Sequence, residues 1–502
     1  MSEIPCGRTP RLCQKRSSPC FTGLAVLFCA MLALITAAAA AHLYRNTAPK
    51  AFSVFYLVLP WAWLLLCALY LGKHPLSPRR FALTLFLLSL VTKGAAALLL
   101  RTPPESDFYL LYYAAKELAG GNNMLNTTPY FQYWAYQSGF VAWMAFFIRF
   151  FHAGLPFFLL MNAMAVSATN VLLYCLCRRF ASHRAAALAA LIYLCYPAAY
   201  FMVPVLTNQL MAELFLTAAL WVFLSPQAEG KKLYRARLGA GVLLAVSNLF
   251  RPMAVVVLLA VLGGTLLYTA SSRQSLRVCA CSCLLFCAGY AAVTQGASLL
   301  VCVSGLNANG LSNQLPAWKF MLGLNRTSLG RYSSLDAVTV FASEDPAAAA
   351  QALVRERLSA YSVPELLRLF WDKLAIMWGS FEDSSWALTQ RVMDRLQSWG
   401  LDGFVRYWTD KWCRLGVGFY TALLALAGLG AWAKSRRPSL SAILILAAGL
   451  YFGAHLLIEI QVRYRSTMLL FLLPLTACGT DAAAEQIPRL WGSLRKETVF
   501  PL

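Results

Sequence analysis

The chain has 502 residues, of which 59% are hydrophobic and only 13% charged, well below the roughly 25% charged of soluble domains. That composition excludes a water-soluble globular enzyme. The formal charge of +22 comes with no soluble basic face through which to bind nucleic acid. The fold class that follows is an all-α polytopic membrane protein with about 12 transmembrane helices.

Apolar segments long enough, in most cases, to cross a hydrocarbon core of about 30 Å fall at 21–43, 53–72, 81–100, 155–177, 185–203, 209–226, 238–250, 252–269, 278–300, 415–433, 439–458 and 466–480. The two on either side of Arg251-Pro252 are short, so one broken helix is the alternative there. The basic stretch before the first span is followed by no small-residue cleavage site, which reads as a retained signal anchor. The segment 131–151 is apolar enough to cross. A crossing there, however, would move Arg178, Arg179 and Arg184 to the wrong side. It therefore reads as interfacial or re-entrant, with Tyr133, Trp134, Tyr136 and Trp143 at headgroup level.

With both termini inside, the cytoplasmic segments hold Arg8, Arg11, Lys15, Arg16, Lys73, Arg79, Arg80, Arg178, Arg179, Arg184, Lys231, Lys232, Arg235, Arg237, Arg273, Arg277, Lys434, Arg436, Arg437, Arg489, Arg495 and Lys496. These are 22 of the 43 basic residues. The short outer connections hold only Arg45, Lys50, Arg251, Arg463 and Arg465, which is the asymmetry of the positive-inside rule. The positive charge is then mostly topology and contact with anionic membrane lipids.

The domain organisation follows: a cytoplasmic tail 1–20, a transmembrane module 21–300 that includes the acidic outer loop 101–154, an outer loop or cap 301–412, C-terminal spans 413–480 and a cytoplasmic tail 481–502. The two large extracytoplasmic loops carry 14 of the 21 acidic residues, so carboxylate chemistry belongs outside the cytoplasm. Pro103 and Pro104 end the third span and present Glu105 and Asp107 at the membrane face. A short amphipathic helix runs from Leu110 to Leu118 and stops at Gly120-Gly121, and a second is expected over 364–378. Cys279, Cys281, Cys283 and Cys287 match no zinc spacing and read as small apolar residues. Cys302 and Cys413, at the two ends of the larger loop, are candidates for a disulfide.

Carboxylates in or beside the bilayer are costly unless paired, which makes Glu213 and Glu459 functional candidates. Glu459 has a bland alternative in an i, i+4 pair with Arg463. Arg251, Arg463 and Arg465 lie at one depth, at outer helix ends, where a guanidinium can hold a phosphate through two hydrogen bonds. Their alternative is snorkelling to lipid headgroups. Three arginines facing an outer carboxylate loop suggest a site for a lipid-linked phosphate.

At these residues the sequence resembles the GT-C membrane glycosyltransferases, especially the branch similar to protein O-mannosyltransferases and the lipid A aminoarabinose transferase. The resemblance lies in Glu105-Ser106-Asp107-Phe108-Tyr109, the span ending Cys177-Arg178-Arg179-Phe180, Thr207-Asn208-Gln209 with Glu213, Asn248-Leu249-Phe250-Arg251-Pro252, and Glu459 through Arg463-Tyr464-Arg465. It covers about residues 85 to 480, with two extra spans before the acidic loop, where the family usually has one. The resemblance implies a GT-C-like fold and transfer of a sugar from a polyprenyl-phosphate donor to an extracytoplasmic glycan, lipid or protein acceptor. It also implies Asp107 as catalytic base, with Glu105 or Glu213 in support. Arg251, Arg463 and Arg465 would bind the donor phosphate, while Tyr109, Asn208, Gln209, Glu459 and Tyr464 position the reactants. A divalent cation, Mg or Mn, would be held by Glu105 and Asp107. The competing readings are a transporter or flippase for a lipid-linked saccharide, favoured by Lys93 in the middle of its span, and a polysaccharide polymerase or ligase. A transporter of this size often shows internal repeats, and none is visible.

Overall fold

A computed structural model of the chain describes residues 19–74, 76–225, 230–272, 274–435 and 439–497, the last eleven of these by backbone alone. Arg8, Arg11, Lys15, Arg16, Arg273, Arg436 and Arg437 of the expected cytoplasmic segments lie outside the described residues, as do the side chains of Arg489, Arg495 and Lys496.

The described residues form helices and connecting turns, with no strand among them. Three long apolar helices open the chain: α1 (Pro19–Arg45), α2 (Ala51–Lys73) and α3 (Pro78–Leu100). The first loop follows with α4 (Asp107–Gly120), α5 (Pro129–Tyr133) and α6 (Ser138–Phe151). The central group is α7 (Leu155–Cys177), α8 (His183–Cys195), α9 (Pro197–Met202), α10 (Gln209–Phe223), α11 (Gly230–Phe250), α12 (Ala254–Ser271) and α13 (Leu276–Val303). The second loop carries α14 (Trp318–Gly323), α15 (Ser334–Phe341), α16 (Pro346–Ala360), α17 (Val363–Met377) and α18 (Gln390–Ser398). The bundle closes with α19 (Asp402–Ser435), α20 (Ala442–Leu457) and α21 (Arg465–Glu497).

Eight of these helices are long and apolar enough to cross a membrane, and α8, α10 and α20 are shorter apolar helices in expected span positions. Each of the twelve expected spans meets a helix. Around Arg251-Pro252 the structure has two full helices rather than one broken one, because α11 begins eight residues earlier than the apolar run, at Gly230. The span expected over 185–203 is divided at Tyr196-Pro197, where proline lacks the N–H that would continue the helix. Segment 131–151 does not form one crossing helix. Its regular part, α6, has 14 residues, or about 21 Å of helix, and its buried face packs on α4. That length is short of the hydrocarbon core's thickness.

Small residues bring the closing helices together. A Cβ on Gly430 of α19 would run into the Leu475 carbonyl of α21, and one on Gly479 would run into the Leu426 carbonyl. Backbones this close are the membrane route to tight packing, where burying apolar surface gives little drive. The contact matters because α21 begins at the turn that carries Arg463 and Arg465. The disulfide expectation fails. Cys302 and Cys413 are both free, and Cys413 is buried with its thiol on the Glu382 carbonyl at 3.6 Å. Lys93 is fully buried in α3, 3.4 Å from the Leu194 carbonyl and over the Tyr200 ring.

Candidate active site

The first wall of the site comes from the turn after α3. Arg101 has φ 34° and Ser106 has φ 53°, the latter in a region that non-glycine residues avoid. Strain of this kind costs about 1–3 kcal/mol and persists only where the surroundings enforce it. Here Thr102 is held at both ends, its N–H on the Pro204 carbonyl at 3.1 Å and its hydroxyl on the Ala387 carbonyl at 2.8 Å. The strained turn delivers Asp107 as the first residue of α4, and the Ser106 side chain makes no cap. Phe108 behind it packs edge-on against Trp386 at 5.7 Å.

A second wall is the connection between α20 and α21. The Glu459 N–H donates to the Lys319 carbonyl at 2.8 Å and the Ile460 N–H to the Gly330 carbonyl at 2.9 Å. The Lys319 ammonium forms an ion pair with the Glu459 carboxylate, and Gln461 donates to the same carboxylate at 2.9 Å. Lys373, fully buried on α17, donates to the carbonyls of Gly323, Leu456 and Ile458 at 2.7–2.9 Å. A cation bonded to the carbonyls at the end of α20 offsets the negative pole of that helix. It also pins the turn from which Glu459 and Arg463 extend.

Arg463 lies between the two walls. Its guanidinium stacks 4.1 Å from Trp386 and 5.2 Å from Phe108, and its Nε and one Nη are buried with no partner among the described residues. Arg251 sits over the Tyr464 ring at 4.8 Å, while Arg463 is 5.7 Å from the same ring. Two guanidiniums share one tyrosine, and unmade hydrogen bonds to a buried charged donor are costly. An anion with several oxygens would satisfy both.

The groups around Arg463 are crowded by protein yet in part open to water. Asp107 is open to water, yet burial is the largest influence on its carboxyl and pushes its pKa up, with Glu459 in the same direction and Lys319 and Arg463 pulling it back. Lys319 keeps 44% of its side chain accessible. Burial works against its charge, but the Tyr464, Glu459 and Tyr136 oxygens outweigh that and raise its pKa. Glu459 would be raised by burial too; Lys319 holds it below the usual carboxylate range. Groups that touch water while surrounded by protein line a recess rather than a surface. Tyr130 and Tyr136 border it, both pushed up by burial and both close enough to Asp107 to feel its charge. Asn208 reaches the same place through Gln137, which it meets at 3.2 Å and which meets the Tyr130 hydroxyl at 3.4 Å.

The structure thus brings together Asp107, Arg251, Asn208, Glu459, Arg463 and Tyr464 of the residues expected from sequence, and sets others apart. Arg465 has other partners. It is 1% exposed and paired with Glu382 through its Nε at 2.9 Å and Nη2 at 2.6 Å, with Nη1 on the Trp378 and Ser380 carbonyls. Its hydrogen bonds are made, so it is removed from the phosphate set. Glu213 is buried, and one of its oxygens accepts from Gln209, Ser466 and Thr467 at 2.8–2.9 Å. Gln209 also meets the Arg463 carbonyl at 3.2 Å. Glu213 and Gln209 therefore hold the arginine turn rather than meet a substrate. Glu105 is exposed, and Tyr109 stacks on Tyr113 on the exposed face of α4. The Glu459–Arg463 helix pair does not form, because Glu459 precedes the helix and takes Lys319 instead.

Lys319, Tyr130, Tyr136, Gln137 and Trp386 were not anticipated. A charged residue between Trp318 and Phe320 was the one available signal for Lys319. Lys319→Met is expected to raise the concentration of donor needed for half-maximal turnover about 10- to 100-fold, the range of a lost hydrogen bond to a charged group. Initial rates against donor concentration, with Lys116→Met on the exposed face of α4 as control, measure it.

The expected divalent cation does not fit this donor set. Among the described residues no three His, Cys, Asp or Glu side chains gather as a metal site. Glu105 is exposed, and the second carboxylate near Asp107 is Glu459, already neutralised by Lys319. The positive charge between these two carboxylates is the protein's own ammonium.

Residues 138–293, which include Asn208, Glu213 and Arg251, match the family model described as dolichyl-phosphate-mannose-protein mannosyltransferase. The match covers under a third of the chain and is to a family of GT-C glycosyltransferases. It bears out the resemblance read from the sequence and the polytopic fold. No curated protein matches the chain. Two solved structures of an Archaeoglobus fulgidus oligosaccharyltransferase are similar at 12% identity. One, tethered to an acceptor peptide, has a TM-score of 0.46 over 82% of this chain and 50% of its own. The other, with an inhibitory peptide and a dolichol-phosphate, has 0.44 over 83% and 52%. The chain spans about half the length of these structures.

Proposed function

We propose that this GT-C protein moves a sugar from a polyprenyl-phosphate donor to a hydroxyl of a glycan, lipid or protein acceptor. The observation that carries the reading is Arg463. It is a stacked guanidinium with two unbonded nitrogens, beside a second arginine and facing a carboxylate, Asp107, that accepts no hydrogen bond from the described residues. Arg463 and Arg251 hold the phosphate of the donor, with Lys319 at its edge. Asp107 takes the proton from the acceptor hydroxyl as that oxygen bonds to the anomeric carbon. The bond from that carbon to the phosphate oxygen breaks, and its electrons leave with polyprenyl phosphate, whose growing charge the two guanidiniums stabilise. One displacement inverts the anomeric centre.

Purified protein in liposomes with radiolabelled polyprenyl-phosphate sugar tests the reading. Release of polyprenyl phosphate with label on an acceptor supports transfer. A change of sidedness without release would instead support a lipid-linked saccharide transporter, the reading that buried Lys93 favours.

We further propose that both termini are cytoplasmic and that the recess opens on the outer face, from the distribution of basic residues. In a Cys302→Ser background, Ser334→Cys is expected to react with an impermeant thiol reagent in intact cells and Ser275→Cys only after lysis. The reverse pattern would invert the topology.

A further inference from the structure

A groove of about 610 Å³ opens between α2 and α19, lined by Thr47, Phe52, Phe55, Leu59, Trp408 and Lys411 among others. Its volume is that of a ligand site, and none of its lining residues belongs to the recess around Asp107. Trp412 walls it off: the indole donates to the Cys195 carbonyl at 3.2 Å and packs on Tyr200 and Phe201. We propose that this groove binds one anionic phospholipid of the surrounding leaflet, its phosphate at Lys411 and one acyl chain along Phe52, Phe55 and Trp408.

Charge supports that occupant over a neutral lipid. Arg414 at the groove is neutralised by Asp410, whose two oxygens take three hydrogen bonds at 2.8–3.0 Å, and it is tied to the Thr47 hydroxyl at 2.9 Å. Lys411 keeps only a 3.4 Å contact with the same carboxylate and lies over the Tyr407 ring. The turn that supplies Thr47 and Ala48 also carries exposed Arg45 and Lys50. Lys50 is turned back on the Tyr44 and Arg45 carbonyls at 2.8 and 3.1 Å, which leaves Lys411 and Arg45 as the cations at the lip. These are basic residues on the side where such residues are few, and the transfer site uses neither Arg45 nor Lys50. Packing points the same way. Among its 23 residues α2 buries only Ser53, Pro60, Leu64 and Leu71, and Phe52, Phe55 and Trp408 are each about half exposed. An acyl chain in the groove would cover that face of α2 and fasten it to α19. Trp408 suits the interfacial level.

The test is native mass spectrometry of protein from nanodiscs of phosphatidylcholine with or without phosphatidylglycerol, with polyprenyl phosphate as competitor. The intact protein is expected to retain one phosphatidylglycerol and no phosphatidylcholine. Lys411→Gln, a surface change, is expected to lower retention about fivefold, the effect of one basic residue beside an anionic surface. Leu59→Trp, which fills the groove, is expected to remove the lipid while turnover with donor persists. Equal retention of both lipids, or no loss in Lys411→Gln, overturns the proposal. Displacement of the lipid by polyprenyl phosphate also overturns it, and would make the groove part of the donor's path.

Discussion

Asp107→Asn is expected to abolish sugar transfer, by about 100- to 10,000-fold, while leaving the protein folded and able to bind its lipid donor. Asparagine keeps the size of the side chain but takes no proton. The structural alternative, a helix-capping aspartate, predicts almost no effect, because asparagine caps as well as aspartate. The geometry already weakens that alternative. Asp107 is the first residue of α4 rather than its cap, and it follows a strained Ser106 whose side chain caps nothing. Turnover by the native protein should also fall as pH drops. A general base works deprotonated, so the rate is lost as pH falls through the Asp107 pKa. Burial raises that pKa, so the acid limb should lie above the ordinary carboxylate value. Rates with saturating donor across pH, beside thermal unfolding of both proteins, measure this. Near-normal turnover by Asp107→Asn would leave the recess without its base.

Much of the scaffold was legible because the physics is one-dimensional. A helix that crosses hydrocarbon must be apolar along its length, and a run of such residues reads the same in sequence as in space. This is why the expected spans meet helices, and why Pro103-Pro104 could be seen to place Asp107 at the end of α3. Segment 131–151 was harder, since hydropathy alone would let it cross. The arginines after Cys177 argued against that, and the 14-residue length of α6 agrees.

Partnership across long sequence separations was not legible. Arg463 and Arg465 are two residues apart in an Arg-Tyr-Arg run and read alike, yet the turn before α21 gives them different partners. One is stacked on Trp386 with nitrogens unbonded, and the other is sealed against Glu382, 83 residues away. Lys319 was missed for the same reason, since its carboxylate lies 140 residues on. Glu213 illustrates the converse. Its burial was foreseen, but its ties to Gln209, Ser466 and Thr467 make it a support of the arginine turn.

The fate of Arg465 gives the second large expected effect. Glu382→Ala is expected to destabilise the protein by about 3–5 kcal/mol, because removing one partner strands a buried charge. Arg465→Met alone should cost a similar amount, leaving the Glu382 carboxylate with only the Tyr196 hydroxyl. Removing the whole network is different. In Glu382→Leu/Arg465→Met/Tyr196→Phe neither charge of the pair is left stranded, and only the Trp378 and Ser380 carbonyls lose their Arg465 donor. An apolar replacement of a buried pair is often neutral or stabilising. Most of the lost stability should therefore return. The triple variant also separates the two roles of Arg465. As a structural residue it can be absent from a folded protein that still turns over donor near the native rate, because Arg463 and Arg251 remain. As a phosphate ligand its loss would leave a folded protein with a donor requirement raised at least as far as in Arg463→Lys, where the stacked, two-pronged geometry is lost. Thermal unfolding together with donor-dependent rates on the same four proteins decides between them: a triple variant that is stable but unable to use donor would return Arg465 to the phosphate site.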